Sequence, residues 1–202
     1  MNYDLKMQQQ INKLTTKKSL LLHACCAPCS SAVLDRLANI FDITVFFFNP
    51  NITEEKEYKK RLVELKKFIK NLDNKNIKVL EGIYEPNQFF NISKGLEKAK
   101  ERGARCYKCY NLRLEETAKI ATKEGFDFFT TTLSISPYKN SNWLNEIGEN
   151  LDTKYTSTYL YADFKKHDGY KKSIELSKKY NLYRQDYCGC IYSQQEKTQK
   201  EN

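Results

Sequence analysis

Three of the seven cysteines fall within five residues, in the run Leu20-Leu21-Leu22-His23-Ala24-Cys25-Cys26-Ala27-Pro28-Cys29-Ser30-Ser31. The apolar half of that run reads as a buried strand. Pro28 fixes a backbone angle suited to the first turn of a helix, which continues through Val33 and Leu34. Thiols are thereby gathered at a strand-to-helix turn, where an open α/β sheet places its ligand crevice. The partial positive charge of a helix N-terminus also stabilises thiolates. The stretch points to a metal or redox site and ties the fold to a strand-turn-helix unit that carries it.

The rest of the chain continues the alternation. Strands are predicted at 19–23, 43–48, 77–80, 126–132 and 157–161. Helices are predicted at 28–39, from a Thr53 cap through the apolar face Leu62, Leu65, Phe68, Ile69 and Leu72, then at 86–100, 107–123, 143–151 and 168–180. Gly125 closes the fourth of these, and residues 133–140 read as a polar loop. Buried-looking strands separated by amphipathic helices predict an α/β fold, a mostly parallel sheet with helices on both faces. With 202 residues and no long Pro/Gly/Ser linker, one domain is expected at 19–193. A polar arm at 1–18, with Leu5, Ile11 and Leu14 spaced for a loose helix, precedes it, and a disordered tail at 194–202 follows.

Thirty-four Lys and Arg against 25 Asp and Glu give a formal charge of +9, which suits a polyanionic partner. The lysines are dispersed along helices, where they also serve simply to solvate a face. No apolar run approaches the roughly 18 residues of a membrane span, and no signal-peptide pattern opens the chain. The expectation is a cytoplasmic protein with no membrane contact. In a reducing compartment the cysteines suit metal binding or catalysis better than a disulfide framework. Neither a Gly-x-x-x-x-Gly-Lys-Ser/Thr loop nor a Gly-x-Gly-x-x-Gly turn is present, which disfavours a nucleotide cofactor at the first turn.

The cysteines form three groups: Cys25/Cys26/Cys29, Cys106/Cys109 and Cys188/Cys190. A closed zinc site would take four thiolates, and Cys26-x-x-Cys29 with Cys106-x-x-Cys109 fits that spacing. A four-iron cluster also takes four thiolates. Spacing leaves both open, while the surplus thiols favour iron or redox work. A disulfide between Cys188 and Cys190 would close a very small, strained and labile ring around Gly189, so the pair reads as a redox dithiol, with further metal ligation as the alternative.

Five ordered blocks together resemble the QueH type of epoxyqueuosine reductase: 22–30 (LHACCAPCS), 105–114 (RCYKCYNLRL), 131–140 (TTLSISPYKN), 161–166 (YADFKK) and 183–190 (YRQDYCGC). The resemblance implies an adenine-nucleotide α-hydrolase-like (HUP-type) fold with its phosphate loop replaced by the cysteine-rich turn. It implies removal of the epoxide oxygen of epoxyqueuosine at the tRNA wobble position, giving queuosine, with an external electron donor. It further implies a [4Fe-4S] cluster on Cys25, Cys26, Cys106 and Cys109, a redox-active disulfide between Cys188 and Cys190, and Cys29 as ligand to a second mononuclear metal, iron or zinc. Asp163, Tyr138 and Asp186 are the candidate proton donors. Arg105, Lys108, Arg113, Lys139, Lys165, Lys166 and Arg184 lie in the matched blocks and are the candidate tRNA contacts. Tyr107, Tyr110, Tyr138 and Tyr187 are candidate stacking rings for loop bases, or packing around the cluster. Thr131, Thr132, Ser134 and Ser136 either touch the base or satisfy their own loop. His23 is expected to orient the turn by hydrogen bonding. A monomer is expected. A zinc-stabilised RNA-binding module without catalysis is the alternative of another class, and an ATP-dependent tRNA sulfur transferase is disfavoured by the missing phosphate loop.

Overall fold

Leu20, Leu21 and Leu22 are fully buried, and the alternation of a strand sends them to opposite faces. They belong to β1 (Lys18–His23), the middle strand of the sheet. The other strands are β2 (Phe41–Phe47), β3 (Lys78–Glu81), β4 (Phe128–Thr131) and β5 (Thr158–Tyr159). All neighbours pair in parallel, in the order β3-β2-β1-β4-β5. The computed structural model describes residues 1–72 and 76–201, the side chains of Lys200 and Glu201 excepted.

Helices cover both faces: α1 (Tyr3–Ile11), α2 (Ala27–Leu37), α3 (Glu55–Lys70), α4 (Pro86–Ser93), α5 (Ala104–Lys123), α6 (Ser141–Asp152), α7 (Gly169–Lys179) and α8 (Ile191–Glu201). On one face Leu20, Leu22, Ile43 and Val45 share a core with Val33, Leu34 and Leu37 of α2 and Leu65 and Phe68 of α3. On the other, Leu21 and Phe129 pack with Leu114 and Ala118 of α5 and Leu144 and Ile147 of α6. Each such Leu or Phe contributes about 1.5–3 kcal/mol on burial. A continuous apolar strand is therefore stable only between two helical layers, which fixes β1 at the centre.

The chain leaves β1 for β2 and β3 on one side and returns to β4 on the other. The strand order reverses between β1 and β4, and the crevice beyond their carboxyl ends is the ligand position of such a sheet. The Cys25–Cys29 turn follows β1 there, and a 3-10 turn, Thr132–Ile135, follows β4.

The element types agree with the sequence pattern, and the differences have local causes. Thr53 is not the cap of α3: the cap position is Glu54, without a side-chain bond, and the Thr53 N–H donates instead to the Gly189 carbonyl at 3.2 Å. The helix expected over 86–100 stops at Ser93, because Lys94 turns extended and Gly95 takes φ +76°. Helix α5 begins three residues earlier than the spacing suggested, with Gly103 at its cap. The arm is not loose. Met7 of α1 is fully buried, and the Gln10 side chain donates to the Tyr159 carbonyl at 2.8 Å and accepts from the Tyr161 N–H at 3.0 Å.

The expected disordered tail is also corrected, since the chain is helical from Ile191 to Glu201. Tyr192 packs against Phe89 and under the Arg105 guanidinium, 4.2 Å from its ring centre, and Glu196 accepts from the Glu101 N–H at 2.9 Å. These contacts come from distant parts of the chain, so the polar composition of the segment gave no sign of them.

Candidate metal and redox site

The first turn of α2 is built to present sulfur. Cys26 caps the helix, its Sγ accepting from the Cys29 N–H at 3.4 Å, while the Ser30 hydroxyl donates to the Cys26 carbonyl at 2.8 Å. The sulfurs of Cys25, Cys26 and Cys29 all lie within 4.8 Å of one another, with Cys25 and Cys26 at 3.7 Å. So close together, the three share charge unequally. Hydrogen bonds from the Cys26 and Cys29 thiols, with Arg113 and His23 nearby, hold Cys25 well below the ordinary thiol range. The same bonds push Cys26 up to about 12 and Cys29 well above its usual value. Three sulfurs so close make a donor set from which a soft cation displaces protons.

Below the turn, His23 is fully buried, with Nδ1 2.8 Å from Thr131 Oγ1. Burial and the Arg113 charge bring its pKa down to about 3, so the ring is neutral. Its Nε2 faces both the Phe48 carbonyl at 3.1 Å and the Arg113 Nε–H at 3.3 Å, and a neutral ring serves one of them at a time.

Arg113 connects the thiol groups. It is buried in α5, and its Nη2 donates to Asn49 Oδ1 at 2.6 Å, while Asn49 Nδ2 donates to the Ala24 carbonyl at 2.9 Å, clamping the end of β1. Burial disfavours its charge, but the sulfurs of Cys109, Cys25 and Cys188 outweigh that and hold the guanidinium above its ordinary range. Cys106 and Cys109 stand on one face of α5, three residues apart. Burial raises Cys106 and pushes Cys109 up to about 11. The Arg102 N–H donates to Cys106 Sγ at 3.3 Å. Neither cysteine is part of the close group formed by the first three.

The Cys188-Gly189-Cys190 loop is held from α3. Arg61, 3% exposed, is fixed by Glu57 at 2.7 Å and donates to the Cys188 carbonyl at 3.2 Å. Gly189 takes φ +109°, and an added Cβ would stand 3.0 Å from Ile52 and 3.2 Å from Arg61. Cys188 Sγ accepts from Lys139 Nζ at 3.0 Å. Cys190 is buried with Phe89 and Cys109, takes the Ser193 N–H at 3.3 Å, and is raised mainly by that burial. All seven cysteines are free thiols.

A cleft of about 600 Å3 runs along this edge, and Cys25, Cys26, Cys29 and Cys188 all line it. Six cationic side chains face it against three acidic ones. Glu101 pairs with Lys139, Asp186 with Lys197 and Glu196 with Arg105, and Arg61 is taken by Glu57, which leaves Arg102, Arg113 and Arg184 as the cleft's surplus charge. The cleft therefore suits an anionic ligand brought against sulfur.

A family model described as "Epoxyqueuosine reductase QueH" matches residues 20–196. The chain belongs to this family. It is 42% identical over 198 residues to the epoxyqueuosine reductase QueH of Streptococcus pyogenes, covering 95% of this chain and 78% of that one. It is 39% identical over 200 residues to that of Staphylococcus epidermidis, with 95% and 84% covered. It is 34% identical over 185 residues to that of Thermotoga maritima, with 90% and 93% covered. Among the described residues, no helix is long and apolar enough to cross a membrane.

The QueH resemblance brought several residues forward that the structure places elsewhere. Arg105 is 1% exposed and its guanidinium donates to the carbonyls of Leu96 (3.0 Å) and Glu97 (2.9 Å), so it secures the loop before α5 and does not face an RNA. Arg113 is as deeply buried and serves the thiols. Lys139 is turned to Cys188. Asp163 pairs with Lys165 at 2.8 Å and is not among the residues that line the thiol cleft. Lys165 itself donates to the Ser134 carbonyl at 3.0 Å, and Lys166 lines a separate depression with α1. Tyr110 is buried, and Tyr107 packs on Trp143 with its hydroxyl on Glu146 at 3.1 Å. Thr131, Thr132 and Ser134 are buried in their own turn. Lys108 is exposed on α5, while Tyr138, Ser136, Arg184, Asp186 and Tyr187 line the cleft.

Arg61, Asn49 and Arg102 escaped the sequence reading. Arg61 left a trace, because it interrupts the apolar stripe of α3 four residues after Glu57, the spacing of an internal ion pair. Asn49 and Arg102 left none beyond polarity.

Proposed function

We propose that this chain is an iron–sulfur reductase that removes the epoxide oxygen of epoxyqueuosine in tRNA. The observation that carries the reading is the cleft itself. It sets the Cys25/Cys26/Cys29 sulfurs and Cys188 in one cationic crevice at the sheet's switch point. Family membership and the names of the relatives support the substrate.

The donor set fits the metal the reading requires. Thiolate sulfur is the ligand type for iron–sulfur clusters; Cys25 and Cys26, with sulfurs 3.7 Å apart at the N-terminus of α2, offer one pair, and Cys106 and Cys109, three residues apart on α5, offer the other. Cys25, Cys26, Cys106 and Cys109 would hold a [4Fe-4S] cluster, and Cys29 would ligate a second metal, iron or zinc, beside it. When bound, the metals would supply single-electron transfer and Lewis acidity toward oxygen.

Converting an epoxide to an alkene takes up two electrons and two protons and releases water. Oxidation of the Cys188/Cys190 dithiol to a disulfide releases the same two electrons and two protons. Cys188 faces the cleft and Cys190 lies behind it, so the loop is arranged for one sulfur to meet the site and the other to close the bond. Lys139 orients Cys188 by its hydrogen bond, and Arg113 offsets negative charge shared among the sulfurs. An external donor would return the pair to the dithiol.

The test is incubation of anaerobically purified, iron-loaded protein with epoxyqueuosine-containing tRNA and a reductant, followed by nucleoside mass analysis. Loss of one oxygen from the modified nucleoside is expected. Unchanged nucleoside with the iron and sulfide content intact would overturn the reading.

A further inference from the structure

Resting on the reading that the substrate is a nucleoside within RNA, we propose that Arg102 and Tyr138 form a stacking platform at the rim of the thiol cleft. It seats an unpaired base of a single-stranded RNA loop, next to the nucleoside that enters.

Tyr138, 56% exposed, is the most exposed aromatic ring among the described residues, and it lines the cleft. Leaving so much ring in water has a use where a base is to cover it. The Arg102 guanidinium lies over that ring, 4.9 Å from its centre, and lines the same cleft. A planar cation over an aromatic face presents two surfaces on which any base stacks, without reading its sequence.

Arg102 is also held in an unusual way. Its φ of +69° is left-handed, a region non-glycine residues seldom occupy, and its N–H is bound to Cys106 Sγ. Its position is thereby fixed to a sulfur of the site. The chemistry selects the occupant: a duplex keeps its base faces stacked inside, whereas a loop can splay one out onto an aromatic ring. The exposed cleft cations Arg102 and Arg184 serve the accompanying phosphates. Of the other candidate rings, Tyr110 is buried, Tyr107 is packed on Trp143, and Tyr187, which also lines the cleft beside Arg61, is half-buried where Tyr138 is open.

The full chain is titrated with an RNA hairpin carrying 2-aminopurine in its loop, and in parallel with a blunt duplex of the same stem. Wild type should prefer the hairpin and quench the 2-aminopurine. Tyr138→Ala and Arg102→Ala should each weaken hairpin binding about tenfold and lose the quench, as expected for one lost base–aromatic stack. Tyr138→Phe should keep both, and the double variant should lose less than the two single losses multiplied. Equal affinity for hairpin and duplex, no hairpin binding, or undiminished quenching by Tyr138→Ala would overturn the proposal. The hairpin contains no epoxyqueuosine, so the result is independent of reductase activity. Protein that seats the loop yet leaves epoxyqueuosine intact would overturn the functional reading alone.

Discussion

Lys139 Nζ lies 3.0 Å from Cys188 Sγ, and the lysine side chain is 9% exposed. A cation so buried is held at its charge by what surrounds it. Burial opposes the charge, but the Cys188 sulfur outweighs it and keeps the ammonium well above its ordinary range. Lys139 therefore belongs to the dithiol and is not free to bind a phosphate.

Removing that ammonium should cost activity while leaving tRNA affinity nearly unchanged. A charge-assisted hydrogen bond of about 1.5–3 kcal/mol corresponds to roughly a 10- to 150-fold fall in turnover for Lys139→Met. Lys139→Arg, which keeps a donor, should lose less. Single-turnover assays on epoxyqueuosine-containing tRNA, with affinity measured separately, distinguish the two effects.

Gly189→Ala should destabilise the fold and disable the dithiol together. The left-handed backbone disfavours any side chain, and the new methyl would press on Ile52 and Arg61. A loss of about 1–3 kcal/mol is expected, read as a lower urea midpoint at unchanged slope.

Arg61→Met should be the costlier change. It leaves Glu57 buried with its charge unpaired, an arrangement that costs about 3–5 kcal/mol, and releases the Cys188 carbonyl. Adding Glu57→Gln should recover much of the stability but not the activity, because the loop remains untethered. Urea unfolding and turnover on the same samples separate these outcomes.

Acid should weaken the attachment of α1. Burial raises the Asp4 carboxyl, but hydrogen bonds from Arg36 at 2.6 Å and His167 at 2.8 Å outweigh it and hold the group below the usual carboxylate range. A carboxylate lowered in the folded state adds stability that is present above its unfolded pKa of about 3.9 and is lost as pH falls through the folded value. Wild type should thus be more stable than Asp4→Asn at neutral pH, and the gap should narrow below about pH 3.9 and then close. Urea midpoints across that range give the comparison.

Much of the layered fold was legible because it rests on local periodicity. An uninterrupted apolar strand must be covered twice, and Leu20, Leu21 and Leu22 required helices on both faces. The thiol turn was legible for the same reason: Pro28 and the apolar run before it set the strand-to-helix change within a few residues. The roles of charged residues were not. Arg105, Arg113 and Lys139 looked like surface cations, yet Arg105 is buried against the loop before α5 and Glu196, Arg113 against Asn49, and Lys139 is turned to Cys188, and composition does not report such pairings. The pairing of the Asp163 carboxylate with Lys165 was not legible either.

The sequence by itself determined the alternation of strands and helices, the three cysteine groups and the family they mark. These are properties of neighbours along the chain, where spacing fixes geometry. Only the tertiary structure decided that Arg113 of α5 reaches His23 and Asn49 beneath the thiol turn and that Lys139 points inward to sulfur. The reason is physical. Burying a charge is unfavourable unless the fold supplies a partner, and partners drawn from β1, α3, α5 and the loops meet only once the sheet has brought its strand ends to one edge.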